Sequence, residues 1–162
     1  MKLFFGGDTV PDQRIKGVVN KYISLSFSVN KIGEALVKEQ LDCDLTSEQH
    51  YMLRYIYQNN TCTSSELADV FSVKKSAITA IITRLWTKGF IQRTRDENDR
   101  RVVYLTLTDK GNELYLETEA RIHKLVESII TKFDQNEIEM FIQSYEKLHD
   151  VLLETKKNQL ED

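Results

Sequence analysis

Basic side chains are concentrated in one stretch of an otherwise acidic chain. Residues 72–101 contain eight Lys or Arg and three Asp or Glu, a net charge of +5, whereas the rest of the chain contains 14 basic and 22 acidic residues, a net charge of −8. The basic residues are Lys74, Lys75, Arg84, Lys88, Arg93, Arg95, Arg100 and Arg101. Such a stretch can bind a polyanion while the remaining surface repels non-specific contacts. A solvated charged face is the alternative, and the elements that carry these residues decide between the two.

The composition limits the class of protein. A chain of 162 residues suits one compact domain with extensions, and 41% hydrophobic with 29% charged residues is a globular profile. One Pro and six Gly leave few helix breaks, which favours a mostly helical chain. No apolar run approaches the ~20 residues that cross a bilayer, and Gly6, Gly7 and Asp8 interrupt the only apolar patch near the N-terminus. We therefore expect a cytoplasmic protein with no membrane partner.

The segments before and within the basic stretch have helical periodicity. Residues 12–39 predict a long helix whose apolar positions follow a 3.6-residue period: Ile15, Val18, Val19, Tyr22, Ile23, Val29, Ile32 and Leu36. Capping boxes that begin at Thr46 and Thr63 predict two shorter helices. A further helix over residues 74–88 ends at Gly89, a typical C-terminal glycine. The helix that begins after Thr63 and the helix over residues 74–88 are joined by a tight break at residues 72–73, which indicates a helix-turn-helix.

The segment that follows predicts a β-hairpin and two more helices. Residues 90–95 and 102–107 flank a polar turn, and Val103, Leu105 and Leu107 share one face of the second run. A hairpin attached to a helix-turn-helix is called a wing. Thr108 and Asp134 are candidate caps for the two C-terminal helices. The predicted fold class is mainly α with a small β-hairpin wing: a winged helix-turn-helix domain with long terminal dimerisation helices.

The residues of the predicted wing form a pattern that is similar to a known family. The chain contains Asp-x-Arg-x5-Leu-Thr-x-x-Gly, with Asp99, Arg101, Leu107, Thr108 and Gly111 at its fixed positions. Upstream of it lie Ser76, Thr79, Leu85, Lys88, Gly89 and Arg93. This arrangement resembles the MarR family of winged-helix transcriptional regulators over nearly the whole chain. The sequence departs from the family's usual pattern at Lys74 and Ala80, so the resemblance does not transfer an operator sequence.

The predicted partner is double-stranded DNA, contacted from the helix predicted over residues 74–88, which we call the recognition helix, and from the wing. On that helix the candidate contacts lie away from the apolar stripe: Lys74, Lys75, Ser76, Thr79, Thr83 and Arg84. On the wing they are Arg93, Arg95, Arg100 and Arg101. A helix fits the major groove, where Ser, Thr and Arg bond base edges or phosphates, and Arg suits a narrow minor groove. The resemblance implies that Asp99 pairs with Arg101 and stabilises the wing rather than touching DNA.

The outer helices predict self-association. The first helix and the last two have wide apolar stripes without a large domain to cover, which favours a two-fold homodimer on a near-palindromic operator. We divide the chain into a flexible lead (1–11), an N-terminal dimerisation helix and turn (12–44), a DNA-binding domain (45–111) and C-terminal dimerisation helices (112–162). The resemblance implies a repressor released by a small, often aromatic or anionic, effector; activators share the same fold.

Several alternatives remain open on the sequence. Cys43 and Cys62 would suit a redox-sensing variant, although neither matches the position used by the peroxide-sensing branch of the family. Three scattered His residues predict no metal site, and nothing indicates a cofactor. Five aromatic residues are candidates for a ligand cleft, though their spacing is more typical of core packing: Tyr22, Tyr51, Tyr55, Tyr57 and Trp86. For Trp86 we expect a packing role.

Two other functional classes are weighed against the regulator. No nucleophile elbow, phosphate-binding glycine loop or histidine set with a nucleophile is present, so we predict that the chain is not an enzyme. A winged-helix protein-interaction module without specific DNA binding is the main alternative. Such modules tend to have a wing and a third helix of the winged-helix domain that are acidic or neutral. The net charge of +5 over residues 72–101 argues against this alternative.

Overall fold

The computed structural model describes residues 13–41 and 45–161, which are mainly helical. In chain order the elements are α1 (Gln13–Gln40), α2 (Ser47–Asn59), β1 (Cys62–Thr63), α3 (Ser64–Val70), α4 (Lys75–Thr87), β2 (Ile91–Arg95), β3 (Val103–Leu107), α5 (Asp109–Ile130) and α6 (Gln135–Glu161). This confirms the predicted fold class, mainly α with a small β element. Cys43 and the lead predicted for residues 1–11 lie outside the described residues.

The chain divides into two compact units, with the boundary in sequence between Tyr115 and Leu116. The N-terminal unit holds a continuous apolar core to which helices and strands both contribute. Its fully buried side chains include Met52, Leu53, Ile56, Leu67, Ile78, Leu85, Ile91 and Leu105. These residues come from α2, α3, α4, β2 and β3, so the core holds the helix-turn-helix and the wing strands together.

Local hydrogen bonds set the N-terminal starts of α2 and α3. Oγ1 of Thr46 accepts from the backbone N–H of Gln49, and the side chain of Gln49 accepts in return from the N–H of Thr46. Thr63 and Glu66 form the same reciprocal pair at the start of α3. The break between α3 and α4 contains Ser72 at φ 54°, a left-handed conformation that stops helix propagation. Both predicted capping boxes are confirmed.

The sheet has three antiparallel strands in the order β1–β3–β2. β2 pairs with β3 from Ile91 opposite Leu107 to Arg95 opposite Val103, which is the predicted hairpin. The sequence did not predict β1, in which Cys62 pairs with Leu105. Two residues are too few to show period-two alternation, so only the tertiary pairing reveals this strand.

Three hydrogen bonds join the C-terminal end of α4 to the start of α5, and their acceptors are the carbonyl groups of residues 88–90. Nζ of Lys110 donates to the carbonyl of Lys88 at 3.0 Å, and Oγ1 of Thr108 donates to the carbonyl of Gly89 at 2.6 Å. The N–H of Thr108 donates to the carbonyl of Phe90 at 3.1 Å. Thr108 also caps α5 by accepting from the N–H of Gly111, as predicted. We call Lys88–Gly89–Phe90 with Thr108–Lys110–Gly111 the α4–α5 corner.

Both terminal helices carry large apolar side chains that are exposed in the single chain. On α1 they are Ile15, Val18, Val19, Tyr22, Ile23, Leu25, Phe27, Val29 and Ile32. On α6 they are Met140, Phe141, Ile142, Tyr145, Val151, Leu152 and Leu153. Contiguous apolar surface of this kind marks an interaction site in a soluble protein. Within 13–41 and 45–161, no helix combines the length and hydropathy that a membrane span requires.

Candidate nucleic-acid interface

Helix α4 has one buried face and one exposed polar face. Ile78, Ile82 and Leu85 are buried in the core of the N-terminal unit. The exposed face carries small and polar side chains at helical spacing: Ser76, Ala80, Thr83 and Thr87, with Thr79 and Arg84 beside them. Thr87 was not among the predicted contacts, although it lies four residues after Thr83 and the helical period alone places it on this face. Short polar side chains allow a helix to approach base edges closely.

The N-terminal end of α4 is open to an anion. Lys74 is the N-cap residue, and its side chain makes no capping hydrogen bond. Lys74 and Lys75 are both exposed there. Two cations beside a helix N-terminus oppose the helix dipole, and the first N–H groups of the helix have no partner within it. A bound phosphate would satisfy these N–H groups and offset the charge conflict.

The tip of the wing is ordered by two aspartates. Oδ1 of Asp96 accepts from the N–H of Asn98 and of Asp99, both at 2.8 Å. Asp99 accepts from Arg101 three times: from the backbone N–H and Nε at 3.0 Å each, and from Nη2 at 3.2 Å. The Arg101 side chain is 91% exposed, so solvent screens the ion pair and it adds little to the stability of the fold by itself. Its structural effect is to fix the turn that carries Arg100.

These hydrogen bonds also shift the acidity of the tip. Backbone N–H groups of Asp99 and Asn98 lower the pKa of Asp96 below its usual 3.8. The guanidinium of Arg101, and then its backbone N–H, lower the pKa of Asp99. Both carboxylates therefore stay ionised to a lower pH than an ordinary Asp, and the ionised form is the one that accepts these hydrogen bonds.

The structure brings one wing arginine, Arg93, against helix α4. Nη2 of Arg93 donates to Oγ1 of Thr83 in a long hydrogen bond of 3.4 Å, and its guanidinium carbon lies 4.9 Å from the ring centre of Trp86. Trp86 is 52% exposed, and outside its own helix it contacts Arg93 of the wing. Arg95 and Arg100 extend from the wing as exposed side chains. Strand β2 and helix α4 thus present a continuous basic and polar surface.

Of the two cysteines considered for a redox role, the structure describes the environment of Cys62. Cys62 is a buried free thiol in β1, and burial, with a smaller effect from Glu66, raises its pKa to about 12. A thiol with so high a pKa stays protonated and reacts slowly with oxidants, which disfavours a redox role for Cys62. Cys43 lies outside the described residues. No group of three or more metal-ligating side chains comes together in the part of the chain that the structure describes.

A cleft lies between the C-terminal part of α1 and the start of α2. Its volume is about 750 Å³. It is lined by Glu34, Ala35, Val37, Lys38, Leu45, Thr46, Ser47, Glu48 and Tyr51. Its lining includes one aromatic ring and one cation, from Tyr51 and Lys38, and the size suits a small molecule. Of the five aromatic residues considered for a cleft, Tyr51 is the one that lines it.

Comparisons with known proteins agree on a family. The MarR family model matches residues 45–103, which include α2, α3, α4, β2 and the start of the wing's return strand. The uncharacterized HTH-type transcriptional regulator YwhA of Bacillus subtilis is 26% identical over 130 residues, or 80% of this chain and 88% of YwhA. The HTH-type transcriptional repressor MdtR of the same species is 33% identical over 90 residues, or 56% of this chain and 58% of MdtR.

A solved complex shares the fold. The crystal structure of a mutant MarR from E. coli with operator DNA superposes with a TM-score of 0.69 at 27% identity, covering 77% of this chain and 91% of that chain. The relatives are transcriptional regulators, which agrees with the prediction that this chain is not an enzyme. The helix-turn-helix, the wing and these matches lead to one conclusion: the chain belongs to the MarR family of DNA-binding transcriptional regulators.

Proposed function

We propose that the protein is a homodimeric, sequence-specific repressor that binds a near-palindromic operator and is released by a small-molecule effector. The observation that carries this proposal is the exposed basic surface of α4 and the wing in a chain that is otherwise acidic. A surface of this charge attracts DNA, while the acidic remainder limits non-specific binding. The name of MdtR, a repressor, supports the sign of regulation.

The residues divide the work of DNA binding by position. Ser76, Thr79, Thr83 and Arg84 on α4 enter the major groove and read base edges, while Lys74 and Lys75 hold a phosphate at the helix N-terminus. On the wing, Arg93, Arg95 and Arg100 contact phosphates or the minor groove. Arg101 remains with Asp99 and stabilises the turn. Oγ1 of Thr79 already donates to the carbonyl of Lys75, so its hydroxyl acts on DNA as an acceptor.

Apolar surface that one chain leaves uncovered supports the proposed dimer. The exposed side chains of α1 and of α6 belong to the segments 12–44 and 112–162, which we assign to dimerisation, and residues 45–111 form the DNA-binding domain. A two-fold axis places two α4 helices about one DNA turn apart. Because both helices must match the half-site spacing together, a small change in their separation releases the operator.

The effector site that we propose is the cleft between α1 and α2. Tyr51 supplies an aromatic face, and Lys38 supplies one cation beside the carboxylates of Glu34 and Glu48, so the lining suits an aromatic molecule better than an anionic one. A ligand bound there would favour one arrangement of α1 relative to the DNA-binding domain. It would shift the dimer away from the DNA-binding arrangement by the difference in its affinity for the two.

A gel-shift experiment tests the proposal. The purified protein is titrated onto DNA from upstream of its own gene, with scrambled competitor and a salt series. We expect a discrete complex that survives competitor, and a variant with Arg100→Ala that binds more weakly with a smaller salt slope, by roughly one unit per lost phosphate contact. Equal loss of binding with any competitor would contradict sequence specificity. An absence of binding at low salt would favour the protein-interaction module instead.

A further inference from the structure

The side chain of Trp86 has an environment that the fold does not require. Its ring is on α4, one turn after Thr83, and about half of it is exposed. The core of the N-terminal unit is complete without it, because Ile78, Ile82 and Leu85 supply the buried face of α4. A large aromatic residue on the exposed side of a recognition helix needs a reason other than burial.

The contact between Trp86 and Arg93 supplies that reason. The guanidinium carbon of Arg93 is 4.9 Å from the ring centre, inside the distance of about 6 Å at which cation–π attraction operates. Oγ1 of Thr83 accepts a hydrogen bond from the same guanidinium. Arg93 belongs to strand β2, so two residues of α4 hold one side chain of the wing. Among the described residues, no ion pair joins Arg93 to a carboxylate.

The arrangement leaves Arg93 competent to bind an anion. A guanidinium carries five N–H donors, and the face-on contact with an indole ring uses none of them. The bond to Thr83 uses one, so most of the planar edge of the group stays available. An arginine held in place before binding also loses less side-chain freedom when it meets a phosphate, which strengthens binding without a new contact.

We propose that Trp86 is a positioning residue for Arg93: it holds the guanidinium beside α4, oriented for one DNA phosphate at the edge of the major groove. The inference rests on the proposed DNA binding. It assigns Trp86 no contact with DNA of its own. It also couples the wing to the recognition helix, because the two are linked through Arg93.

A double-mutant cycle tests the proposal. Binding of wild type, Trp86→Ala, Arg93→Ala and the double variant to a fluorescein-labelled duplex of random sequence is measured by anisotropy across a salt series, since a phosphate contact needs no particular sequence. We expect Trp86→Ala to weaken binding about two- to five-fold in the wild-type background, the size of an exposed cation–π contact. In the Arg93→Ala background the same change should have no effect. Arg93→Ala should reduce the salt slope by about one phosphate equivalent.

Matched variants separate positioning from folding. Trp86→Phe keeps an aromatic face and should retain most of the affinity, whereas Trp86→Leu should behave like Trp86→Ala. Gln92→Ala changes the exposed neighbour of Arg93 on β2 and should alter neither affinity nor slope. Thermal unfolding of each variant should stay close to wild type, because none of the three side chains belongs to the buried core and at most an exposed contact is lost.

The chain's single tryptophan provides an independent readout. Its emission should change in Arg93→Ala without DNA, since the cation leaves the ring. Losses that multiply in the double variant would overturn the proposal and assign Trp86 a separate contact with DNA. Unchanged binding by Trp86→Ala would also overturn it. A wild-type protein that fails to bind any duplex would overturn the proposed function itself. That result differs from one in which the wild type binds normally and the losses of the two single variants multiply in the double variant.

Discussion

Gly111 lies in the α4–α5 corner, where the structure leaves no room for a side chain. A methyl carbon at this position would lie 2.9 Å from the carbonyl carbon of Phe90, 3.2 Å from its Cα, and closer still to its carbonyl oxygen. All three atoms are backbone, so no rotamer change relieves the overlap. The substitution Gly111→Ala therefore forces α5 and the end of α4 apart.

The cost can be worked from these distances. Carbon atoms pack best at about 3.5–4.0 Å, so the carbonyl carbon must retreat by about 0.6 Å or more and the oxygen by a larger amount. Overpacking of this kind costs about 1–3 kcal/mol. The same movement stretches the hydrogen bond from the N–H of Thr108 to the carbonyl of Phe90. We expect the free energy of unfolding to fall by about 2–3 kcal/mol, near the top of that range.

Urea and thermal unfolding measure this effect. For a chain of this size the loss corresponds to a melting temperature lowered by about 4–12 °C. All proteins are compared at one concentration, because dimerisation makes stability concentration-dependent. Gly17→Ala is the matched control: it makes the same change in α1, where nothing in the single chain lies within 4 Å of the added carbon, and sedimentation checks that its oligomeric state is unchanged. Alanine is the better helix former, so this control should be unchanged or up to about 1 kcal/mol more stable.

The result that refutes the reasoning is specific. If Gly111→Ala unfolds at the same urea concentration as wild type, the carbonyl of Phe90 moves aside without cost and the corner is not tightly packed. A loss of the same size in Gly17→Ala would show that alanine substitution disturbs the chain for a reason unrelated to the corner.

Four further expectations follow from the structure. Thr63→Ala should cost about 1 kcal/mol of stability by removing the capping box of α3, whereas Thr63→Ser should keep it; urea unfolding distinguishes them. The carboxyls of Asp96 and Asp99 should titrate below 3.8 by NMR. Because folding lowers these two pKa values, the ionised carboxylates stabilise the wing fully at a pH above 3.8. This stabilisation is lost as the pH falls through the lowered pKa values. Titration at or above 3.8 would contradict the hydrogen bonds at the wing tip. Cys62 should resist a thiol reagent in the native protein and react readily after unfolding, and equal rates would show that it is accessible. Wild type should sediment at twice the chain mass, and Phe141→Asp should shift it towards the monomer; a wild-type monomer would refute the proposed dimer.

Local features of this protein were predictable from its sequence. The capping pairs Thr46–Gln49 and Thr63–Glu66 lie within one helical turn, so their chemistry does not depend on the rest of the fold. The hairpin followed from period-two alternation on either side of a polar turn. The charge contrast between residues 72–101 and the rest of the chain is a matter of composition alone. The DNA-contact roles assigned to individual residues stay predictions.

Contacts between residues distant in sequence needed the tertiary structure. Strand β1 exists only because Cys62 pairs with Leu105, and that pairing also buries the thiol and raises its pKa. The sequence predicts a packing role for Trp86 near the end of its helix, and only the fold shows that its ring contacts Arg93 from the wing.

Gly111 shows the same division most clearly. The sequence pattern of the wing includes Gly111 but does not say why glycine is needed there. The approach of the Phe90 backbone explains why the position has no room for a side chain. The helices, the wing hairpin and the place of the positive charge could be predicted from the sequence, because short-range hydrogen bonds, periodicity and composition are local properties. Contacts such as those of Trp86 with Arg93 and of Gly111 with Phe90 could not be predicted, because chain segments far apart in sequence approach one another only when the core packs.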